Sequence, residues 1–337
     1  MTRMFLKRML VLVLPIAVLV SCSADNSTFS GGGIGGTGVT VGPITGFGSI
    51  FVNGAELDIS NATVTLEGVD DDSGDPNRSL KLGMVVVVRG NFSPDGLTGV
   101  ATSVAFEDNL EGPVDSVDAG NQLTVLRQTV VVNTSTVFDG FNALSELSQG
   151  EMVEVSGLVD ANGNILATRI AFKGDDFNAV GELEIKGTIR NLDTTSKTFV
   201  IGAATTPLVV QYTGAELKLE NSPNGVLENG LFVEVESKQP PSGGAIQASE
   251  VAVKSPFSDS LGEEGDHVEI EGFVTEFSSL DQPFKVNGIL VLTTAATVYE
   301  HGSAIDVANG VRLEVEGTLD ADGVLTAVKV EFEDSSG

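Results

Sequence analysis

Catalysis and metal binding draw on a short set of side chains, and outside its carboxylates this chain has few of them. Among 337 residues there are two histidines, His267 and His301, one cysteine, Cys22, and no tryptophan. His267 follows Asp266 in an acidic stretch, and His301 lies between Glu300 and Gly302, so both read as exposed loop residues. A zinc site takes three or four N, S or O ligands, and a hydrolytic triad needs a positioned base. No H-E-x-x-H, G-x-S-x-G or P-loop spacing occurs. Gly33-Ile34-Gly35-Gly36-Thr37-Gly38 matches G-x-G-x-x-G, but a dinucleotide loop must follow a strand and open a helix. Here low-complexity sequence precedes it, and the stretch from Val39 to Ile44, with Pro43 inside it, reads as extended.

Carboxylates are abundant, with 47 Asp and Glu against 18 Lys and Arg. The loop Asp70-Asp71-Asp72-Ser73-Gly74-Asp75 clusters oxygen donors, and Asp70, Asp72 and Asp75 form a weak Ca²⁺ candidate. It lacks the EF-hand spacing and terminal Glu, so a solvated acidic turn is the simpler reading. Glycosidases also use paired carboxylates, but their clefts usually offer aromatic platforms, and only Tyr212 and Tyr299 join the phenylalanines here. The expectation is a protein that is not an enzyme and carries no cofactor. The formal net charge of −29 argues against a nucleic-acid partner, because phosphate backbones are bound by Lys and Arg.

Cys22 is explained by its position. Arg3, Lys7 and Arg8 precede an uncharged apolar run from Met9 to Val20, too short for a bilayer span and of the length of a signal-peptide core. The run ends in Leu19-Val20-Ser21-Cys22, which resembles the bacterial lipobox. That resemblance implies a lipid on the Cys22 thiol, cleavage before it, and attachment to a membrane through hydrocarbon chains. Ser23, in place of Asp, resembles the sorting signal for the outer membrane. Residues 23–39, rich in Ser, Gly, Thr and Asn, read as a flexible tether.

Beyond the tether the chain repeats. Gly83-Met84-Val85-Val86-Val87-Val88-Arg89-Gly90, Gly150-Glu151-Met152-Val153-Glu154-Val155-Ser156-Gly157, Gly230-Leu231-Phe232-Val233-Glu234-Val235-Glu236-Ser237 and Gly310-Val311-Arg312-Leu313-Glu314-Val315-Glu316-Gly317 align without a gap. An earlier landmark opens each copy: Ile44-Thr45-Gly46, Leu110-Glu111-Gly112, Ile185-Lys186-Gly187 and Ile270-Glu271-Gly272. From that Gly to the later one (Gly46 to Gly83, Gly112 to Gly150, Gly187 to Gly230, Gly272 to Gly310) the spacings are 37, 38, 43 and 38 residues. In copy two the pattern predicts strands at 112–117, 122–127 and 129–133, one or two helical turns at 141–147, and strands at 151–158 and 165–172. Three strands, a short helix and two strands is the order of an OB-fold, a small Greek-key barrel. Glu154, Glu234 and Glu314 are expected to face water. Met84–Val88 of copy one is apolar on both faces, so its outer face should pack on another element, with copy two the expected neighbour.

Copy one also reads Gly42-Pro43-Ile44-Thr45-Gly46-Phe47-Gly48-Ser49-Ile50-Phe51-Val52-Asn53-Gly54, and copy two closes with Val153-Glu154-Val155-Ser156-Gly157 and Ala167-Thr168-Arg169-Ile170. These stretches resemble the bacterial family of unknown function numbered 5666, which implies tandem β-domains of secreted lipoproteins and no known activity. The organisation expected is all-β: a signal peptide at 1–21, a tether at 22–39, and four OB-like barrels at 40–107, 108–173, 182–254 and 268–334, with short linkers allowing limited hinge motion. The leading expectation is a non-enzymatic interaction or structural protein of the cell envelope, held to the membrane by lipid. The alternative is a binder of a small ligand or oligosaccharide.

Overall fold

Alternating apolar residues separated by Asp, Asn and Gly turns become strands throughout the computed structural model, which describes residues 36–71, 79–118, 120–254 and 261–333. All of these fall in one compact unit. In module two the strands are Leu110–Asp118, Gln122–Val125, Gln128–Val131, Met152–Val159 and Ile165–Gly174. Strand one pairs with two, two with three, three with five, five with four, and four with one. The ring closes, and no long edge is left to template aggregation. Module four repeats this ring with His267–Thr275, Phe284–Val286, Ile289–Leu292, Arg312–Leu319 and Leu325–Phe332.

The other two modules vary the scheme. Module one uses Gly36–Pro43, Ile50–Val52, Ala55–Asp58, Val85–Phe92 and Thr98–Phe106, and a bridge between Gly46 and Phe51 joins strand one to strand two. In module three strands one and five are each broken, into Leu183–Thr188 with Arg190–Asp193 and Ala245–Gln247 with Glu250–Val253, so the ring is split between two sheets. Gly36–Val39, which composition assigns to the tether, already pair with Arg89–Phe92 of module one.

The landmark glycines have physical causes. Gly83, Gly150, Gly230 and Gly310 open strand four with φ of +80°, +94°, +94° and +85°, a backbone region open to glycine. Gly90, Gly157 and Gly317 each sit at a bulge where strand four crosses strand five. A Cβ there would lie 2.4, 2.3 and 2.3 Å from the carbonyl oxygens of Val100, Leu166 and Thr326. Module three carries Ser237 at this position because its strand five is broken opposite, and the Ser237 hydroxyl donates to Gln247 O at 2.8 Å.

The helical segment is shorter than the sequence suggests. Only one 3₁₀ turn forms, Leu144–Glu146 in module two and Ala304–Asp306 in module four. The apolar spacing 141, 144, 147 fits a helix with three residues per turn, and Leu144 and Leu147 are buried. Ahead of it, Val137–Asp139 and Val298–Glu300 form short strands parallel to strand five, which were not anticipated.

The modules are joined through sheets rather than strung on linkers. Strand one of module one runs parallel to strand one of module four, with Gly38–Val41 beside His267–Ile270. Strand one of module two pairs antiparallel with strand one of module three at Leu110–Ile185 and Glu111–Glu184. Modules two and three share one apolar cluster. Val39, Val41 and Val87 of module one join the cluster of module four, while the module-one barrel has its own. Val87 occupies the repeat position held elsewhere by Glu154, Glu234 and Glu314, so the apolar outer face of copy one docks chiefly on copy four. Copy two touches the same strand through polar contacts, Val85 N–H to Ser156 Oγ at 2.9 Å and Thr168 Oγ1 to Gly83 O at 2.5 Å.

Gly317→Ala should cost about 1–3 kcal/mol by forcing the bulge apart, read as a lower midpoint in thermal unfolding. An unchanged midpoint would contradict the close approach described for strands four and five.

Candidate functional site

The seams gather the chemistry-bearing side chains. Alternation puts residues i and i+2 on one face, so Glu111 of strand one and Glu154 of strand four share the outer face of module two, and Glu184 and Lys186 share that of module three. Register then aligns them across strands. Glu154, Glu111, Glu184, Glu236, Glu250 and Glu216 are consecutive cross-strand partners over six strands of the sheet shared by modules two and three. Module four has a second row, Glu271, Glu314, Glu331 and Glu300, and beside it Glu269, Glu316 and Lys329. Like charges directly opposite repel, so both rows require neutralisation.

Lysines supply part of it. Lys173 reaches Glu111 at 2.9 Å and Glu154 at 2.7 Å. Lys186, whose side chain is 5% exposed, pairs with Glu184 and lies 3.1 Å from Glu67, 3.4 Å from Asp108 and 3.4 Å from Glu234. This places one ammonium among carboxylates from module one, the linker after it, and module three. Asp108 also donates its backbone N–H to Glu67 at 2.7 Å. Arg169, 6% exposed, holds Glu154 at 2.8 Å and Asp139 at 2.5 Å. Lys254 reaches Glu234 at 3.1 Å, and Lys329 reaches Glu316 at 2.8 Å and Glu331 at 3.0 Å.

Protons supply the rest. Burial pushes Glu67 up to about 7, against the pull of Lys186 and with the help of Glu184. Burial likewise lifts Asp108 well above the usual carboxylate range. Glu236 is raised to about 7 by burial and then by Glu250 and Glu182. Glu314 is raised to about 8 by burial, against the pull of Lys329 and with the help of Glu331, Glu333 and Glu271. Burial alone would lower Lys186, but Asp108, Glu67, Glu184 and Glu234 hold it well above the normal lysine range. Among the described residues, four groups bring three carboxyl oxygens within 4.8 Å of one another. Each already includes a carboxylate paired with Lys173, Lys186, Lys218 or Lys329.

Glu154, Glu234 and Glu314 therefore do not face water as the alternation alone suggests. The Glu154 and Glu234 side chains are each only 12% exposed, and Glu314 is half-buried. A cleft of 540 Å³ opens where modules one, two and four meet, with Asn53, Ser135, Thr168, Arg312, Glu314 and Glu333 among its walls. Arg312 is committed there to Glu271, with its Nε 2.7 Å from Oε1.

The residues singled out from sequence lie elsewhere. Cys22, Asp72 and Asp75 fall outside the described residues, as does Gly33–Gly35 of the glycine motif. Asp70 is exposed on the two-residue strand Val69–Asp70 and accepts from Thr65 Oγ1 at 3.3 Å. His267 is exposed, but it opens a strand rather than lying in a loop. His301 sits on a turn, its side chain 73% exposed and its Nδ1 3.0 Å from Glu331. The seam carboxylates were visible as repeat landmarks. The signal for their clustering was Lys186, the one basic residue at a position held by Glu111 and Glu271 in other copies.

The family model described as "Domain of unknown function (DUF5666)" matches residues 40–105, 111–171 and 271–331, which are modules one, two and four. No curated protein matches the chain. Among solved structures, "drosophila Unr CSD456" is similar at 18% identity, covering 68% of this chain and 98% of that one, with a TM-score of 0.18. A superposition that loose carries no argument.

Lys186→Met keeps the apolar stem and removes the charge. It should destabilise the protein by about 3–5 kcal/mol near neutral pH, as breaking a buried pair does, and by much less in acid, where the surrounding carboxyls are protonated. For Glu67 the sign is definite: its raised pKa adds stability below the usual carboxylate range, and that contribution is lost as pH rises through about 7. Urea titrations at acid and neutral pH measure both effects, and equal losses at the two pH values would refute this electrostatic role.

Proposed function

The chain belongs to the family of domains of unknown function DUF5666, and we propose that it is a lipid-anchored, non-enzymatic interaction or structural protein of the cell envelope, sorted to the outer membrane. The observation that carries this reading is Leu19-Val20-Ser21-Cys22 directly after an apolar run, with Cys22 the sole cysteine of the chain. A thiol kept at that one position fits lipid attachment and has no use in a disulfide.

The folded part supports the same reading. The outer faces of strands one and four carry ion pairs that bind module to module, so the carboxylates with raised pKa values already have a structural task. What the body offers to a partner is its outer surface, strongly acidic overall and suited by charge to a basic protein surface. Several barrels behind one anchor extend reach from the membrane and permit contact at more than one place.

Mass spectrometry of the mature N-terminus should find Cys22 carrying lipid, and Cys22→Ser should move the protein from the membrane to the soluble fraction. An unmodified Cys22 in the exported protein, or unchanged fractionation of the variant, would end the anchor reading. Crosslinked pull-down from envelope extracts should recover defined protein partners. Retention on a glycan array without such partners would favour the oligosaccharide alternative instead.

A further inference from the structure

The seam between modules one and four contains a carboxyl group that its surroundings do not neutralise. Glu269 is 2% exposed, and its register partner across the seam, Thr40, is fully buried. Thr40 Oγ1 donates to Glu269 Oε2 at 2.9 Å and itself accepts from Asn53 Nδ2 at 3.0 Å. On the opposite side the register partner of Glu269 is Glu316, and carboxyl oxygens of Glu269, Glu314 and Glu316 all lie within 4.8 Å of one another.

The charged groups around it come from every neighbouring element. On its own strand are Glu271 and the exposed His267. Strand four of module four contributes Arg312, Glu314 and Glu316, strand five Lys329 and Glu331, and the short strand beside it Glu300. Glu333 and His301 lie at the far end of the same face. The cations are engaged elsewhere: Lys329 with Glu316 and Glu331, Arg312 with Glu271, and Arg89 of module one with Asp266 at 3.1 Å. From the docked strand Gly36–Pro43, only the Thr40 hydroxyl meets the Glu269 carboxyl. An ionised Glu269 would face two like charges with one neutral donor and the partial attraction of Lys329, which is itself paired with Glu316 and Glu331.

We propose that docking of the N-terminal strand on module four is proton-linked: Glu269 holds a proton while the seam is closed, and its ionisation releases Gly36–Pro43 from module four. Burial first, and then Glu314 and Glu316, against the pull of the Thr40 hydrogen bond and Lys329, hold this carboxyl well above its usual range, the direction the device needs. Stability from this group is thus complete in acid and is lost as pH rises through the raised value. The seam so controlled is the one formed by the first described strand of the chain, so its opening leaves that strand held by strand four of module one alone.

Hydrogen exchange of the amides through which Gly38–Val41 and His267–Ile270 pair with each other, corrected for intrinsic rates and followed in the full chain from about pH 6 to about pH 9, tests this. In the wild type, protection should fall by up to about tenfold per pH unit once Glu269 titrates. In Glu269→Gln, which keeps the shape without the charge, it should stay level. A level wild type, or equal falls in both proteins, would overturn the proposal. If the variant does not fold, a ¹³C titration of the Glu269 carboxyl in the wild type decides the matter. A midpoint well above the ordinary carboxylate range supports the proposal, and any other overturns it.

Discussion

Everything in this architecture turns on a conflict built into its sheets: the edge that joins one barrel to the next places carboxylates directly opposite carboxylates. Glu111 meets Glu184 across the seam of modules two and three, and Glu269 meets Glu316 beside the seam of modules one and four. Desolvation makes such pairs costly, and backbone register admits no local escape, because a one-residue slip would turn the apolar face outward. The sheet can extend from module to module only if ammonium groups or protons enter with it.

Lys186 and Lys329 answer that requirement from different strands. Lys186 takes the strand-one position that Glu111 and Glu271 occupy in their own copies, and draws in Glu67 and Asp108 from the side of module one. Lys329 comes from strand five and serves the module-four row. Module one eases the conflict on its own side of the seam. With Val87 where the other copies have Glu, its strand four adds apolar surface to the module-four cluster. The same repeat position thus brings a carboxylate or apolar surface to a seam according to a single residue type.

Much of the fold was legible in the residues. Alternation and turn chemistry located the five strands of module two within a few residues, and the landmark glycines marked the turn and the bulge that strand four requires. The helical turn was overestimated, since a spacing of three was read on an α-helical period, and Val137–Asp139 was too short to register as a strand. The seams were less legible. Glu154 and Glu314 look solvent-facing from alternation within their own strands, and only pairing with distant strands hems them in, Glu154 with Glu111, Arg169 and Lys173, and Glu314 with Glu271 and Glu331. The parallel contact of strands near residues 40 and 269 joins positions 229 residues apart, a separation at which local patterns carry no information. The expectation for Cys22, by contrast, rests on linear order and not on folding, and Cys22 lies outside the described residues.

The most direct test of the shared sheet is disulfide trapping across the seam of modules two and three. With Cys22 replaced by Ser, the chain has no native thiol, and Glu111→Cys with Glu184→Cys places two cysteines at cross-strand partner positions, within the span a disulfide bridges. The account predicts rapid, near-complete intramolecular crosslinking under mild oxidation. A folded protein in which the two thiols stay free would contradict it.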